Sequence, residues 1–275
     1  MSESAAPRVY GIPATAVPAV AVIRRGPSDW CHIGRWDLES DTYEPGAWFR
    51  GTIYPQKCDL SPDGRWLAYS AMNAGADWPA GDIYEAISRL PWLAALAAWN
   101  SGSTYTRGIH FTADQAESNI GAPDVGDYAP CVARYGLRWT RPQQFAVEHR
   151  RGWQESEGTA PRDAGGAWDE QRRVEMVKPH PLRDLTLHVE GRYASFRAGD
   201  PNDGPPVYWL SSDADVEVFD DVQWADWDSQ GRLLVATVGG LLQARSVAGE
   251  ATVEVADLGE LSPDPQPAPD WTARW

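Results

Sequence analysis

The sequence predicts an all-β protein and, within that class, a β-propeller of five blades, each a four-stranded antiparallel sheet. Three observations carry the prediction. Gly 25 and Pro 22 in 275 residues cut the chain into short segments, which favours strands and turns over long helices. Between those breaks apolar residues alternate over short stretches, the pattern of half-buried strands. Third, a polar residue, Gly and Arg lead into an apolar run at Asp63-Gly64-Arg65, Glu190-Gly191-Arg192 and Gln230-Gly231-Arg232. Glycine accepts the positive φ of a tight hairpin. These glycines lie about 127 and then about 40 residues apart, and the longer gap is close to three periods of about 42, a blade length. Gly108 and Gly152 fill the gap as poorer matches, with Gly102 and Gly136 as competitors. Ring closure protects strand edges. The competing reading is a β-sandwich with a chance spacing of glycines.

Taken in order, the chain reads as one domain over 1–275. Residues 1–13 are expected to form an extended N-terminal arm. Ala14 to Ile23 is an apolar run too short to span a bilayer. Its charges, Arg24 and Arg25, follow the run, the reverse of a signal peptide. It is expected to be a buried strand, with Val17 to Ile23 closing the ring against the C-terminal segment. Cys58 to Tyr69, CDLSPDGRWLAY, reads as a tight turn at Asp63-Gly64 followed by a strand. Leu90 to Trp99 contains Pro91 and is read as a buried strand or a single turn. Asp213, Asp215 and Glu217 alternate with Ala214, Val216 and Val218, as on the solvent face of a strand. Residues 263–275 are Pro-rich and hold Trp271 and Trp275, an extended strap pinned by aromatics.

A formal net charge of −15 repels a phosphate backbone, so nucleic acid is not an expected partner. No membrane partner is expected either. Three cysteines, Cys31, Cys58 and Cys131, are odd in number and lack zinc-site spacing. A reducing, cytoplasmic location fits them. Fifteen Trp against five Phe favours sheet faces and seams, because Trp is large and carries a polar N–H.

At Ser61-Pro62-Asp63-Gly64-Arg65-Trp66-Leu67-Ala68-Tyr69 the chain resembles the S-P-D-G-(K/R) hairpin of WD40-like and TolB-like propeller repeats. A longer pattern resembles an uncharacterised family of bacterial proteins from GC-rich genomes. It runs from Arg24-Arg25-Gly26-Pro27-Ser28-Asp29-Trp30 through Ala86-Ile87-Ser88-Arg89 and Trp92 to Trp99, and closes with Ala268-Pro269-Asp270-Trp271. The resemblance implies architecture and no activity. In such repeats the S-P-D-G turn joins the innermost strand of a blade to the next one outward, and ligands meet the opposite face. Carried onto this chain, the starts of innermost strands fall near Trp48-Phe49-Arg50, Arg183-Asp184 and Asp220-Asp221. Trp48, Arg50, Arg183, Asp184, Asp220 and Asp221, with Arg24, Arg25 and Asp29 beside them, are therefore the candidate ligand-binding residues.

Arg24 to His32 is the densest polar cluster, and its arginines could grip a carboxylate or phosphate. The plainer reading is turn chemistry at Gly26-Pro27-Ser28-Asp29, with surface pairing of the arginines. The acids from Asp213 to Asp228 could hold Ca²⁺ or act as an acid/base pair, against the plainer reading of a solvated strand. Asp200-Pro201-Asn202-Asp203-Gly204 lacks EF-hand spacing and is a turn. No GxSxG, HExxH, P-loop or dinucleotide fingerprint occurs. His32, His110, His149, His180 and His188 have no metal spacing, and His188 reads as a strand-facing histidine. No metal or cofactor is expected from these patterns; they leave the catalytic residues unknown, because propeller enzymes collect such groups from several blades and need no local motif. The leading expectation is a non-catalytic binding or scaffold protein with a protein partner. The alternative is a small-molecule or carbohydrate site in the central funnel, open to a hydrolytic or lyase activity, which would bring polar groups from three or more blades together.

Overall fold

The computed structural model describes residues 6–26, 29–75, 77–104, 108–112, 118–132, 134–139, 145–156, 173–192, 206–213, 215–247 and 251–275. The turn read at 200–204 lies outside them. The protein is all-β, and its sheets follow one another along the chain. The first contains β1 (Arg8–Pro13), β2 (Ala19–Arg25), β3 (Trp30–Asp37) and β4 (Thr42–Arg50), each antiparallel to the one before. The second contains β5 (Thr52–Ile53), β6 (Asp59–Leu60), β7 (Trp66–Met72), β8 (Ile83–Arg89) and β9 (Ala95–Asn100). Strands β5 and β6 both pair with β7, as one strand interrupted by a 3-10 turn at Pro55–Lys57. A proline in that gap removes an N–H that a ladder would need.

Strand β10 (Ile109–Thr112) starts a third sheet; β11 (Val125–Gly126) returns to pair with β9. After helix α1 (Ala129–Val132), β12 (Gly136–Trp139) pairs with β10. Helix α2 (Ala146–His149) leads into β13 (Gln154–Glu155), which borders a sheet of β14 (Arg173–Pro179), β15 (Thr186–Arg192), β16 (Val207–Ser211) and β17 (Val216–Phe219). The last sheet is β18 (Val222–Trp227), β19 (Arg232–Thr237), β20 (Leu241–Ser246) and β21 (Thr252–Asp257). Among the described residues no helix is long and apolar enough to cross a membrane.

Strands β2 and β18 are buried along almost their whole length. AVAVIRR accordingly reads as a continuous apolar run, because both faces of the strand are covered. The largest core joins the first, second and last sheets through residues such as Val22, Trp36, Leu67, Trp224 and Leu234. Gly11 makes room for the Trp224 ring, which would lie 2.4 Å from any Cβ there.

Two of the three triplets form the same turn. At Gly64 (φ +69°) the N–H donates to Ser61 O at 2.9 Å, and Ser61 Oγ accepts from Trp66 N–H at 3.0 Å. At Gly231 (φ +81°) the N–H donates to Asp228 O, and the Asp228 carboxylate accepts from Gln230 and Arg232 N–H. Gly191 is a correction: it lies inside β15, opposite Val174. The matching turn is His180 to Leu185, built on Pro181 and on a Leu182 N–H donated to His180 Nδ1. A glycine search passes over a turn that uses no glycine. Gly108 and Gly152, both with positive φ, precede strands β10 and β13 and do not join two strands of one sheet.

Other expectations land close by. Only Ala19 to Ile23 of the first apolar run is strand, while 14–18 makes the β1–β2 turn. Within the expected arm, Arg8–Pro13 is strand β1. Leu90 to Trp92 turns before β9 begins. Of the terminal tryptophans, Trp275 packs edge-on against Trp66 at 5.6 Å, whereas Trp271 is 47% exposed. The run of acids is also divided. Val216 and Val218 are exposed along with Asp215 and Glu217, because β17 is an edge strand open on both faces. Asp226 and Asp228 are buried.

Candidate functional site

Among the described residues, three places bring chemistry-bearing side chains together. The first is where β1, β6, β10 and β18 approach one another. Asp59, on β6 and wholly buried, sits between Arg150 and Arg151 and accepts the Phe111 N–H at 2.8 Å. Arg151 also donates to Pro13 O at 2.7 Å and to Val147 O at 2.8 Å, tying β1, β6 and α2 into one knot. Burial opposes the charged form of Asp59, but Arg150 and Arg151 outweigh it and hold the carboxyl below the usual carboxylate range. Asp226 pairs with Lys178 and accepts from Trp153 Nε1 at 3.3 Å and from its neighbour's N–H, Trp227, at 2.7 Å. Burial pushes His110 down to about 4, so it is neutral at pH 7.

This is the convergence that a central site would require, from several sheets and with shifted pKa values. Its charged groups, however, are engaged with one another, Asp59 with Arg150 and Arg151 and Asp226 with Lys178. The cavity beside it, lined by Pro13, Arg151, Trp153, Trp224 and Asp226, holds about 40 Å³. Such a volume suits a water molecule, not an organic ligand.

The second place is the end of the first sheet, which receives five of the nine sequence-predicted residues. Trp30 lies opposite Arg50, and His32 opposite Trp48. Arg50 and Asp29 form an exposed ion pair at 3.0 Å. Trp48 packs against His32 with centroids 4.6 Å apart and planes tilted by 30°, and lies under the Arg24 guanidinium at 5.7 Å. Burial holds His32 at about 4. Arg24 is 2% exposed. It donates to Leu258 O at 2.6 Å, Leu261 O at 3.0 Å and Gly259 O at 3.3 Å, and also to Gly26 O. Arg24 is therefore not a surface pair; its guanidinium is a clasp on the C-terminal segment. Arg25 lies at the end of β2, opposite Cys31.

The other four predicted residues lie elsewhere. Asp220 and Asp221 are exposed before β18, with Asp221 3.4 Å from Arg245. Arg183 and Asp184 are exposed in the β14–β15 turn, which His180 joins to the Gly231 turn by a 3.0 Å contact to Gly231 O. They therefore share the end of the molecule that carries the hairpin turns, not the opposite one. The misplacement follows from taking Gly191 as the turn.

The third place is the fourth sheet, whose two faces differ. On one side a groove of about 350 Å³ runs toward the last sheet. Leu185, Leu210, Phe219, Leu233 and Val247 give it an apolar floor, Asp215 and Glu217 an acidic rim, and Arg245, which is held by Gln243 and Asp221, also lines it. Strands β17 and β21 are each the last in their sheets and pair on one side only among the described residues. On the other side His188 stands between Glu175 and Ser211. Nδ1 lies 3.0 Å from Glu175 Oε1, and Nε2 lies 2.7 Å from Ser211 Oγ. The spacing of these residues, 13 and 23 along the chain, forms no motif; only the strand register brings them together.

No family model matches the chain, and no curated protein matches it. Among solved structures it is similar to the uncharacterized protein lmo1340 from Listeria monocytogenes EGD-e, at 13% identity over 89% of this chain. The match spans 63% of that protein's length with a TM-score of 0.23, and neither fold nor function is transferred from it.

Proposed function

We propose that this chain is a cytoplasmic binding protein of five-bladed propeller architecture that engages a partner protein at its outer rim. The architecture is supported by sheets that succeed one another as antiparallel meanders, with β1 near both β18 and β6, and β10 near β6. Lys178 on β14 reaches Asp226 on β18. The observation that carries the function is the groove between the fourth and last sheets, apolar in its floor, acidic at its rim and bounded by two open strand edges.

Open edges supply unpaired N–H and C=O groups to which an extended segment can add as a strand. The acidic rim selects the charge of that segment. The partner therefore presents an extended stretch in which apolar residues alternate with Lys or Arg, the apolar ones entering the floor. A heptapeptide alternating Lys and Val is the simplest probe. Its binding slows hydrogen exchange within 215–219 and 251–254 while exchange in β2 is unchanged. Unaltered exchange in both edge segments at saturating peptide would remove the proposal.

A further inference from the structure

The face of the fourth sheet that points away from the groove carries a different chemistry. Residues directly opposite one another share a face, so the register places Val177, His188, Trp209 and Val218 in one row. Thr186, Ser211 and Val216 form the row on one side, and Glu175, Glu190 and Val207 the row on the other. Glu175 and Ser211 are thus the two diagonal neighbours of His188, on opposite strands and from opposite directions, within reach of long side chains. The imidazole is stacked on Trp209 with centroids 4.8 Å apart and planes 14° from parallel, which fixes its plane. His188 and Glu175 side chains are 16% and 27% exposed, so the group is open to solvent without being loose.

We infer that Ser211, His188 and Glu175 form a nucleophile, base and orienting carboxylate for hydrolysis of esters. A carboxylate only accepts hydrogen bonds, so Glu175 selects the imidazole tautomer with its proton on Nδ1. That leaves the Nε2 lone pair facing the Ser211 hydroxyl, the relation required to activate a serine. Ser211 Oγ attacks the ester carbonyl carbon as its proton passes to His188 Nε2. The carbonyl–alkoxy bond then breaks, the alcohol leaving with that proton, and the acyl group stays on Oγ. Water, deprotonated by Nε2, attacks the acyl carbon, the bond to Oγ breaks, and Ser211 recovers its proton. The sum is ester plus water giving carboxylic acid plus alcohol, with no further reactant.

The surroundings select the substrate class. Val216 and Val218, 59% and 55% exposed, flank Ser211 and Trp209 and offer a short apolar bed for an acyl chain. Glu175 and Glu190 lie opposite one another on the same face and disfavour anions. The substrate is a neutral ester with a small apolar acyl group. This site stands on the opposite face from the groove and does not depend on partner binding.

The test is labelling of the full chain with a fluorophosphonate probe, with the modified peptide identified by mass spectrometry, beside hydrolysis of p-nitrophenyl acetate and butyrate. The expected result is a single adduct on Ser211, absent in Ser211→Ala and retained in Ser212→Ala. Loss of a half-exposed hydroxyl leaves the melting curve unchanged, so loss of label reports chemistry. His188→Gln lowers ester turnover by about 10²- to 10⁴-fold, the range of a general base. Glu175 is a positioning residue: Glu175→Gln lowers kcat and leaves KM unchanged, whereas a purely structural role would show only in the melting curve. An unlabelled native protein, an adduct on another residue, or Ser211→Ala turnover equal to that of the native chain would overturn the inference.

Discussion

Asp59 is the residue on which most of the convergence depends. Its carboxylate has no exposure, and two guanidinium groups and a backbone N–H satisfy it. Removing one member of a buried ion cluster leaves the others desolvated and unpaired, at a cost of about 3–5 kcal/mol. Asp59→Asn is therefore expected to lower the urea midpoint strongly, as measured by tryptophan fluorescence. Gly64 is a milder case. A Cβ there would meet Val17 Cγ2 at 3.0 Å, and the positive φ itself costs a non-glycine residue about 1–2 kcal/mol. Gly64→Ala should lower stability by that order with peptide binding intact, which equilibrium unfolding and anisotropy together would check. The importance of Gly64 is legible in CDLSPDGRWLAY, because its turn is local. That of Asp59 is not: its partners lie 91 and 92 residues away, and nothing in the run Cys58-Asp59-Leu60 announces them.

The same division between local and distant information holds for whole elements. Strands whose chemistry is self-contained, such as β7 after its turn, are readable from a glycine turn followed by an apolar run. The fourth sheet is not. Gly191 in mid-strand imitates a turn, and His180-Pro181-Leu182-Arg183-Asp184 makes one without glycine. That single exchange moved Arg183 and Asp184 to the wrong end. It also hid the register that brings Glu175 and Ser211 to His188. Edge status is equally invisible in sequence, since Asp215-Val216-Glu217-Val218 reads as half-buried, whereas among the described residues β17 has no outer neighbour. At this scale Val247→Lys should block the groove by placing a charge on its half-buried floor. The measurement is loss of Lys/Val heptapeptide binding by calorimetry, with the circular dichroism of the native fold retained.

For the molecule as a whole, acidification is the informative perturbation. His32 and His110 are held by burial at about 4, against an ordinary value of 6.5. The unfolded chain takes up these two protons first. Their contribution to stability is complete above pH 6.5 and is lost as pH falls toward about 4. The depressed Asp59 carboxyl adds stability that is lost only at lower pH still, as it protonates. Thermal midpoints should therefore fall steadily between pH 6.5 and 4; a flat profile there would contradict burial of both imidazoles. The first and last sheets are also held by Arg24 on the carbonyls of Leu258, Gly259 and Leu261. The sequence shows this arginine plainly but not its task, because carbonyl partners have no sequence signature. The all-β class was readable from turn density and alternation, whereas the functional surface depends on how distant sheets meet. The most direct test of a rim-binding protein is anisotropy of the labelled Lys/Val heptapeptide against the native chain and the double variant Asp215→Lys, Glu217→Lys. Saturable, salt-sensitive binding weakened at least about tenfold by the charge reversal, or about 1.4 kcal/mol, is the predicted result. Binding that is absent, or indifferent to the reversal, would contradict it.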